Sequence, residues 1–285
     1  MSTEADRPQS GYQVDAENMA EMARLTRQAR MLTEHLGLLP SSIKLPQRST
    51  ILDIGCGPGE WVLETAQSAP QSLVIGIDIS QLMINYALFT AELENIMNAR
   101  FQVMDARQPL AFSDAYFDII HARFITGFQS TATWPPLLNE CFRLLRPGGT
   151  LCCCEFEDIG ISTSPHLTRY NSLLIQAARL AGQCFTPSGD HYGITAVQPR
   201  LLRMAGFQNI QREAYTLDFS TGSQAHNAMY ENFKTFLKLL QPFLIRSEVT
   251  TAPEIEVLYE RTLEDMQADD FCAIANFQTV WGSKP

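Results

Sequence analysis

From residue 50 onward, short apolar runs alternate with longer amphipathic stretches. The runs are "TILDI" (50–54), "LVIGI" (73–77), "FQVM" (101–104), "FDIIHA" (117–122) and "TLCCCE" (150–155). Between them, residues 60–69, 80–97 and 135–145 carry helical spacing, and "RPGG" (146–149) reads as a helix stop and turn. Strands separated by single helices pair in parallel through right-handed crossovers, which predicts a doubly wound, Rossmann-like α/β sheet. Ahead of this core, Met22, Leu25, Ala29, Leu32 and Leu36 recur at spacings of 3, 4, 3 and 4. That stripe predicts a helix over 15–36, capped by Asp15 and ended by Gly37 and Pro40. Beyond the core, 165–182 and 194–207 read as helices and 208–219 as a strand. Helical stretches at 223–246 and 253–268 then precede a final strand at 271–281. Helices inserted between the last strands are placed to cap the carboxyl edge of the sheet, where open α/β sheets bind ligands.

Composition narrows the partners. The 285 residues are 45% hydrophobic with a formal net charge of −10, and the basic residues form no stripe, which argues against a nucleic-acid partner. No apolar run approaches the roughly 18–20 residues that span a bilayer. The opening "MSTEADRPQSGYQVD" lacks the apolar core of a signal peptide, so the chain reads as cytoplasmic. Seven cysteines without a CxxC pair fit a reducing compartment. Cys152, Cys153 and Cys154 alternate between faces of a strand and read as small buried hydrophobes, and no metal site is expected.

The chemistry gathers at "ILDIGCGPGEW" (51–61), where a strand turns into a helix through Gly55, Gly57 and Gly59. Glycines there let backbone approach a ligand, and the next helix offers free N–H groups. A plain strand–helix turn is the alternative reading of the loop alone. Asp78, at the end of the second strand, is placed to accept bonds from both hydroxyls of a ribose. As an alternative it caps the next helix, a role Ser80 is also able to fill. The third glycine comes one residue earlier than in the dinucleotide fingerprint G-x-G-x-x-G, which argues against a nicotinamide-dependent oxidoreductase.

In this spacing "LDIGCGPG" resembles the first motif of class I S-adenosylmethionine-dependent methyltransferases, and later blocks follow in the same order. "VMDAR" resembles the family block whose acid, here Asp105 beside Ala106, contacts the adenine amine. "FDIIHARF" resembles the fourth strand, whose end (His121, Ala122 and Arg123) lies beside the methionine part, and "NECFRLLRPGGTLCCCE" the helix, turn and fifth strand. The resemblance spans roughly 45–160 and implies a seven-stranded sheet and S-adenosylmethionine as cofactor. The cofactor would be held by Asp53, Gly55, Cys56, Gly57, Gly59, Asp78, Ile79, Met83, Asp105, Ala106 and His121. The flanks "ENMAEMARLTRQARMLTEHLGLLP" and "GITAVQPRLLRMAGFQNIQ" resemble small-molecule methyltransferases of quinone biosynthesis and natural-product pathways. The organisation expected is a helical lid or oligomerisation segment over 1–40, a cofactor-binding core over 41–160, and a remainder with a helical substrate cap over 161–285.

Methyl transfer from a sulfonium is an in-line displacement, for which the protein supplies position, shielding from water and, where needed, a base. Arg24 and Gln28, one helical turn apart, are candidates for the cofactor's carboxylate. Glu155, His166, His191 and Tyr192 are the candidate bases near the cap, with Glu157 and Asp158 following the fifth strand. Tyr12 and the N-terminal helix are lid candidates, although that helix also suits a subunit contact. Phe124, Phe128, Trp134 and Phe185 offer an aromatic wall, with core packing as their ordinary role. The function expected is methyl transfer to a small, largely apolar molecule of secondary metabolism. The alternatives are a cofactor-binding protein without transfer and a transfer coupled to cyclisation.

Overall fold

The computed structural model describes residues 11–45 and 48–285. The first ten residues, on which part of the signal-peptide argument rests, lie outside the described residues. Helix α1 (Met19–Leu36) precedes β1 (Thr50–Ile54), α2 (Glu60–Ser68), β2 (Leu73–Asp78), α3 (Gln81–Leu93) and β3 (Ala99–Val103). Next come β4 (Phe117–Arg123), α4 (Trp134–Leu144), β5 (Leu145–Phe156), the two-residue β6 (Ile161–Ser162) and α5 (Pro165–Leu180). The chain closes with α6 (Ile194–Met204), β7 (Gln208–Asp218), α7 (His226–Arg246), α8 (Ala252–Met266) and β8 (Ala273–Ser283).

The sheet runs β3-β2-β1-β4-β5-β8-β6, with β7 pairing the other side of β8. Strands β1 to β5 pair in parallel, and β8 runs antiparallel to β5, β6 and β7. The sheet has eight strands rather than the expected seven, because β6 adds a two-residue pairing to β8 at Ile161 and Ser162. Three core clusters are built on the sheet. One lies under α4 and α6, one under α2 and α3, and one gathers α1, α5, α7 and α8 at the β5–β8 end. Cys153 joins the first cluster and Cys154 the last, the alternation that a strand imposes.

Two local expectations change. The cap of α1 is Asn18, whose Oδ1 accepts from the amides of Ala20 and Glu21. Asp15 instead closes a turn on the Glu17 amide, so the helix starts later than 15. "RPGG" lies within β5, where pairing resumes after a register shift between Phe117 and Ile119, so the predicted turn is an irregularity in the strand.

Candidate functional site

A cavity opens above the carboxyl ends of β1, β2 and β4, roofed by α1 and closed at the far end by α7. Its empty volume is about 1700 Å³, counting space open to solvent. The stripe on α1 explains the roof. Leu25, Ala29 and Leu32 face the cavity together with the buried Arg24, whereas Glu21 is buried behind them.

The glycine loop divides its work. Gly59 has φ +89°, and a Cβ there would lie 2.8 Å from both Ala87 Cβ and Phe101 Cε1, so packing of α3 and β3 requires this glycine. Gly57 has φ +53°, and a Cβ there would meet only Leu25 Cδ1 at 3.7 Å, so its open side is the cavity. The Gly57 amide donates to Asp78 Oδ2 at 2.9 Å, and the Ser80 amide donates to Asp78 Oδ1 at 2.9 Å. Ser80 takes the helix cap, its Oγ accepting from the Met83 amide, so Asp78 is not the cap of α3. Burial pushes the Asp78 carboxyl up, against the downward pull of the two amides. A ligand donating hydroxyl hydrogens to the remaining lone pairs relieves that penalty. Ile79, Met83, Asp105 and Ala106 continue this wall. Asp105 also takes two bonds from the Arg107 guanidinium, at 2.9 Å each. Cys56 is buried, and its Sγ would stand 2.8 Å from a Cβ on Gly76.

Asp53 and His121 face each other in the β1–β4 register, with His121 Nδ1 2.7 Å from Asp53 Oδ1. The imidazole stacks on Trp61 of α2, ring centroids 3.9 Å apart and 4° from parallel. Burial lowers the His121 pKa and outweighs the raising effect of Asp53, so the neutral ring donates from Nδ1 to the carboxylate. The sequence assigned Trp61 no role in the site and placed Arg123 beside the methionine end only through the resemblance; both line the cavity. Their signal was position, one at the mouth of the loop and one at the end of the fourth strand.

The other end of the cavity is apolar, formed by Phe124, Phe156, Phe277, Met229, Phe233 and Phe236. Phe124 packs edge-on against Phe156 at 5.1 Å and stacks with Phe277 at 5.4 Å. Its φ of +59° is unusual for a bulky side chain. Phe128 and Tyr12 also line the cavity, the Tyr12 hydroxyl donating to Glu21 Oε1 at 2.8 Å.

Of the candidate bases, none lines the cavity. Glu155 is fully buried and accepts the Ile125 and Thr126 amides at 3.0 and 3.3 Å; burial raises its pKa to about 8. His166 pairs with Asp265 at 2.8 Å, joining α5 to α8. Tyr192 is buried, its hydroxyl accepting from Gln13 Nε2 at 2.8 Å. His191 reaches Asp158 Oδ2 at 3.2 Å, and Asp158 does line the cavity. Trp134 and Phe185 pack in the core beneath α4 and α6. Gln28 and Arg24 face the cavity, but the Arg24 guanidinium is bound to Glu21 at 2.7 Å through both Nε and Nη2 and to Asn232 at 2.9 Å. Among the described residues, no group of three or more His, Cys, Asp or Glu side chains is placed to hold a metal.

Comparisons with known proteins agree with this geometry. Residues 51–149 match a family described as "Methyltransferase domain". Over 270 residues the chain is 26% identical to methyltransferase pytC of Aspergillus terreus, covering 90% of this chain and 77% of that one. Over 107 residues it is 34% identical to the demethylmenaquinone methyltransferase of Lactococcus lactis, 37% of this chain and 41% of the relative. In fold it is similar to phosphoethanolamine N-methyltransferase 2 of Haemonchus contortus, solved with S-adenosyl-L-methionine. The TM-score is 0.52 at 19% identity, covering 91% of this chain and 52% of that one. Sheet order, glycine loop and the family match over residues 51–149 together make the chain similar to class I S-adenosylmethionine-dependent methyltransferases.

The donor set fits that cofactor. The Asp78 carboxylate, bonded to two amides, would have lone pairs left for ribose hydroxyls, Gly57 leaves room for close approach, and Ile79, Met83 and Ala106 line the cavity with apolar side chains.

Proposed function

We propose that the protein moves a methyl group from S-adenosylmethionine to a small, largely apolar molecule bound against the aromatic end of the cavity. The observation that carries this reading is continuity. The loop end and the Phe124–Phe156–Phe277 end share one cavity under one roof, α1. A place in secondary metabolism is supported by the likeness of residues 193–211 to natural-product methyltransferases.

The cofactor supplies an activated methyl on a sulfonium, and the chain's own residues supply position. Asp78 would hold the ribose hydroxyls, Ile79, Met83 and Ala106 the adenine, and Asp105 its amine. Gly55 and Gly57, with Asp53 and His121 behind them, would bound the methionine end. Leu25, Ala29 and Leu32 would exclude water from above, as a lid. Orientation of this kind lowers a barrier by roughly 7–11 kcal/mol. Where the acceptor carries a proton, Asp158 is the carboxylate at the aromatic end. His191 at 3.2 Å is then placed to pass that proton outward.

The test is two measurements on the purified protein. S-adenosylhomocysteine at 100 times its Kd stabilises by about 2.7 kcal/mol, a clear rise in Tm. Tritium from methyl-labelled S-adenosylmethionine, incubated with an extract of the source cells, is then expected in an organic-extractable small molecule. An unmoved Tm would remove the cofactor reading, and a raised Tm with label only in macromolecules would remove the small acceptor.

A further inference from the structure

Two guanidiniums line the cavity, and their surroundings are opposite. Arg24 is neutralised by Glu21, with two bonds of 2.7 Å, and a third bond reaches Asn232. Arg123 ends β4 on the sheet face that carries His121, because alternate residues of a strand share a face. Its Nη1 donates to the uncharged Thr33 Oγ1 of α1 at 3.5 Å, the outer limit of a hydrogen bond. No carboxylate among the described residues pairs with it, and the nearby Asp53 is engaged by His121. Burial lowers the pKa of this guanidinium from the ordinary arginine value, against the raising pull of Cys154, Asp53 and Glu64.

A half-buried cation whose nearest acids, Asp53 and Glu64, act on it without a direct ion pair keeps its hydrogen-bonding fork free for a ligand. The planar guanidinium fork matches a carboxylate through two parallel bonds. We propose that Arg123 is the anion receptor of this cavity and takes a carboxylate-class group of the bound ligand. Two sources carry that chemistry, the amino-acid end of the cofactor and an acidic acceptor. The inference rests on the methyltransferase reading above, so its test must fail separately from it.

Calorimetry with two adenosine ligands separates the possibilities. S-adenosylhomocysteine carries the amino-acid end, and 5′-methylthioadenosine shares the nucleoside and thioether but lacks that end. If the cofactor is the source, Arg123→Met weakens S-adenosylhomocysteine about tenfold or more and 5′-methylthioadenosine less than about twofold. Arg123→Lys, which keeps the charge and loses the fork, falls between. If the acceptor is the source, S-adenosylhomocysteine binding is unmoved. The S-adenosylhomocysteine-saturated protein then prefers octanoate over octanol, and Arg123→Met abolishes that preference. A folded Arg123→Met that alters neither S-adenosylhomocysteine affinity nor the octanoate preference overturns the inference. Should that variant fail to fold, Arg123→Lys carries the same comparison. Wild-type protein that binds neither adenosine ligand would overturn the underlying reading, and the inference with it. That result is distinct from retained 5′-methylthioadenosine binding with no response at Arg123.

Discussion

Gly57 and Gly59 stand two residues apart in one loop, and replacing each with alanine is expected to do opposite things. At Gly59 the added methyl would lie 2.8 Å from Ala87 Cβ and from Phe101 Cε1, on a backbone with φ +89°. Left-handed backbone costs an L-residue about 1–2 kcal/mol. Forcing a methyl into a packed core costs about 1–3 kcal/mol more. The total of about 2–5 kcal/mol corresponds to a Tm drop of roughly 4–20 °C for a domain of this size. At Gly57 the methyl would meet only Leu25 Cδ1 at 3.7 Å, an ordinary contact, so backbone strain remains as the cost. Gly57→Ala should therefore lose about 1–2 kcal/mol, roughly 2–8 °C. Its methyl projects into the cavity, however, and there it should weaken S-adenosylhomocysteine at least about tenfold through lost close approach. Thermal melts by circular dichroism and calorimetric titration read the two effects separately. Equal melting of the two variants, or wild-type affinity in Gly57→Ala, would refute the division of labour within the loop.

Asp78→Asn keeps a side chain able to accept an amide hydrogen but removes the charge that ribose hydroxyls would meet. S-adenosylhomocysteine affinity should fall by about 1.5–3 kcal/mol, roughly 10- to 100-fold, and an unchanged Kd would take Asp78 out of the site. Glu155 carries a pH signature. Its carboxyl holds its proton up to about 8 in the folded chain, because burial opposes ionisation, while the unfolded chain releases it near the ordinary glutamate value. The stability linked to this group is therefore full in acid and falls as pH rises toward 8, by about 1.4 kcal/mol per unit within that window. Denaturant unfolding of wild type and Glu155→Gln from pH 5 to 9 should show the gap shifting in favour of the variant as pH rises. A pH-independent gap would show that Glu155 ionises normally in the fold.

How much was legible in the sequence depends on how far each contact reaches along the chain. The glycine loop, Asp78 and Asp105 sit at strand ends, and alternation alone delivers strand ends to one edge of the sheet. Asp53 and His121 meet because β1 and β4 are neighbours in a doubly wound order, a consequence of topology that the pattern already implied. The remainder needed contacts that no periodicity encodes. Arg24 looks like a solvated or ligand-facing residue until Glu21 folds onto it and Asn232, 208 residues away, closes the cluster. His166 reads as a base in sequence, but α8 brings Asp265 against it at the surface. The resemblance places Arg123 beside the methionine end, but that α1 meets it with the uncharged Thr33 is a contact no periodicity encodes.

Glu155 shows why an acid at a strand end need not be a base. It is the penultimate residue of β5, beside the aromatic wall, yet its two oxygens accept the Ile125 and Thr126 amides of the short turn that follows β4. Immediately before those amides stands Phe124, whose φ of +59° an unsupported bulky residue would relax. The Phe124 amide is itself held by the Cys154 carbonyl at 2.9 Å, so β5 grips three successive amides of the turn. Three anchored amides leave the backbone little freedom to leave the left-handed region, and the ring is thereby held against Phe156 and Phe277. The buried carboxyl therefore shapes the acceptor end of the cavity through the backbone. Glu155 itself does not reach the cavity, whereas Asp158, the proton acceptor proposed above, lines it three residues further along the chain.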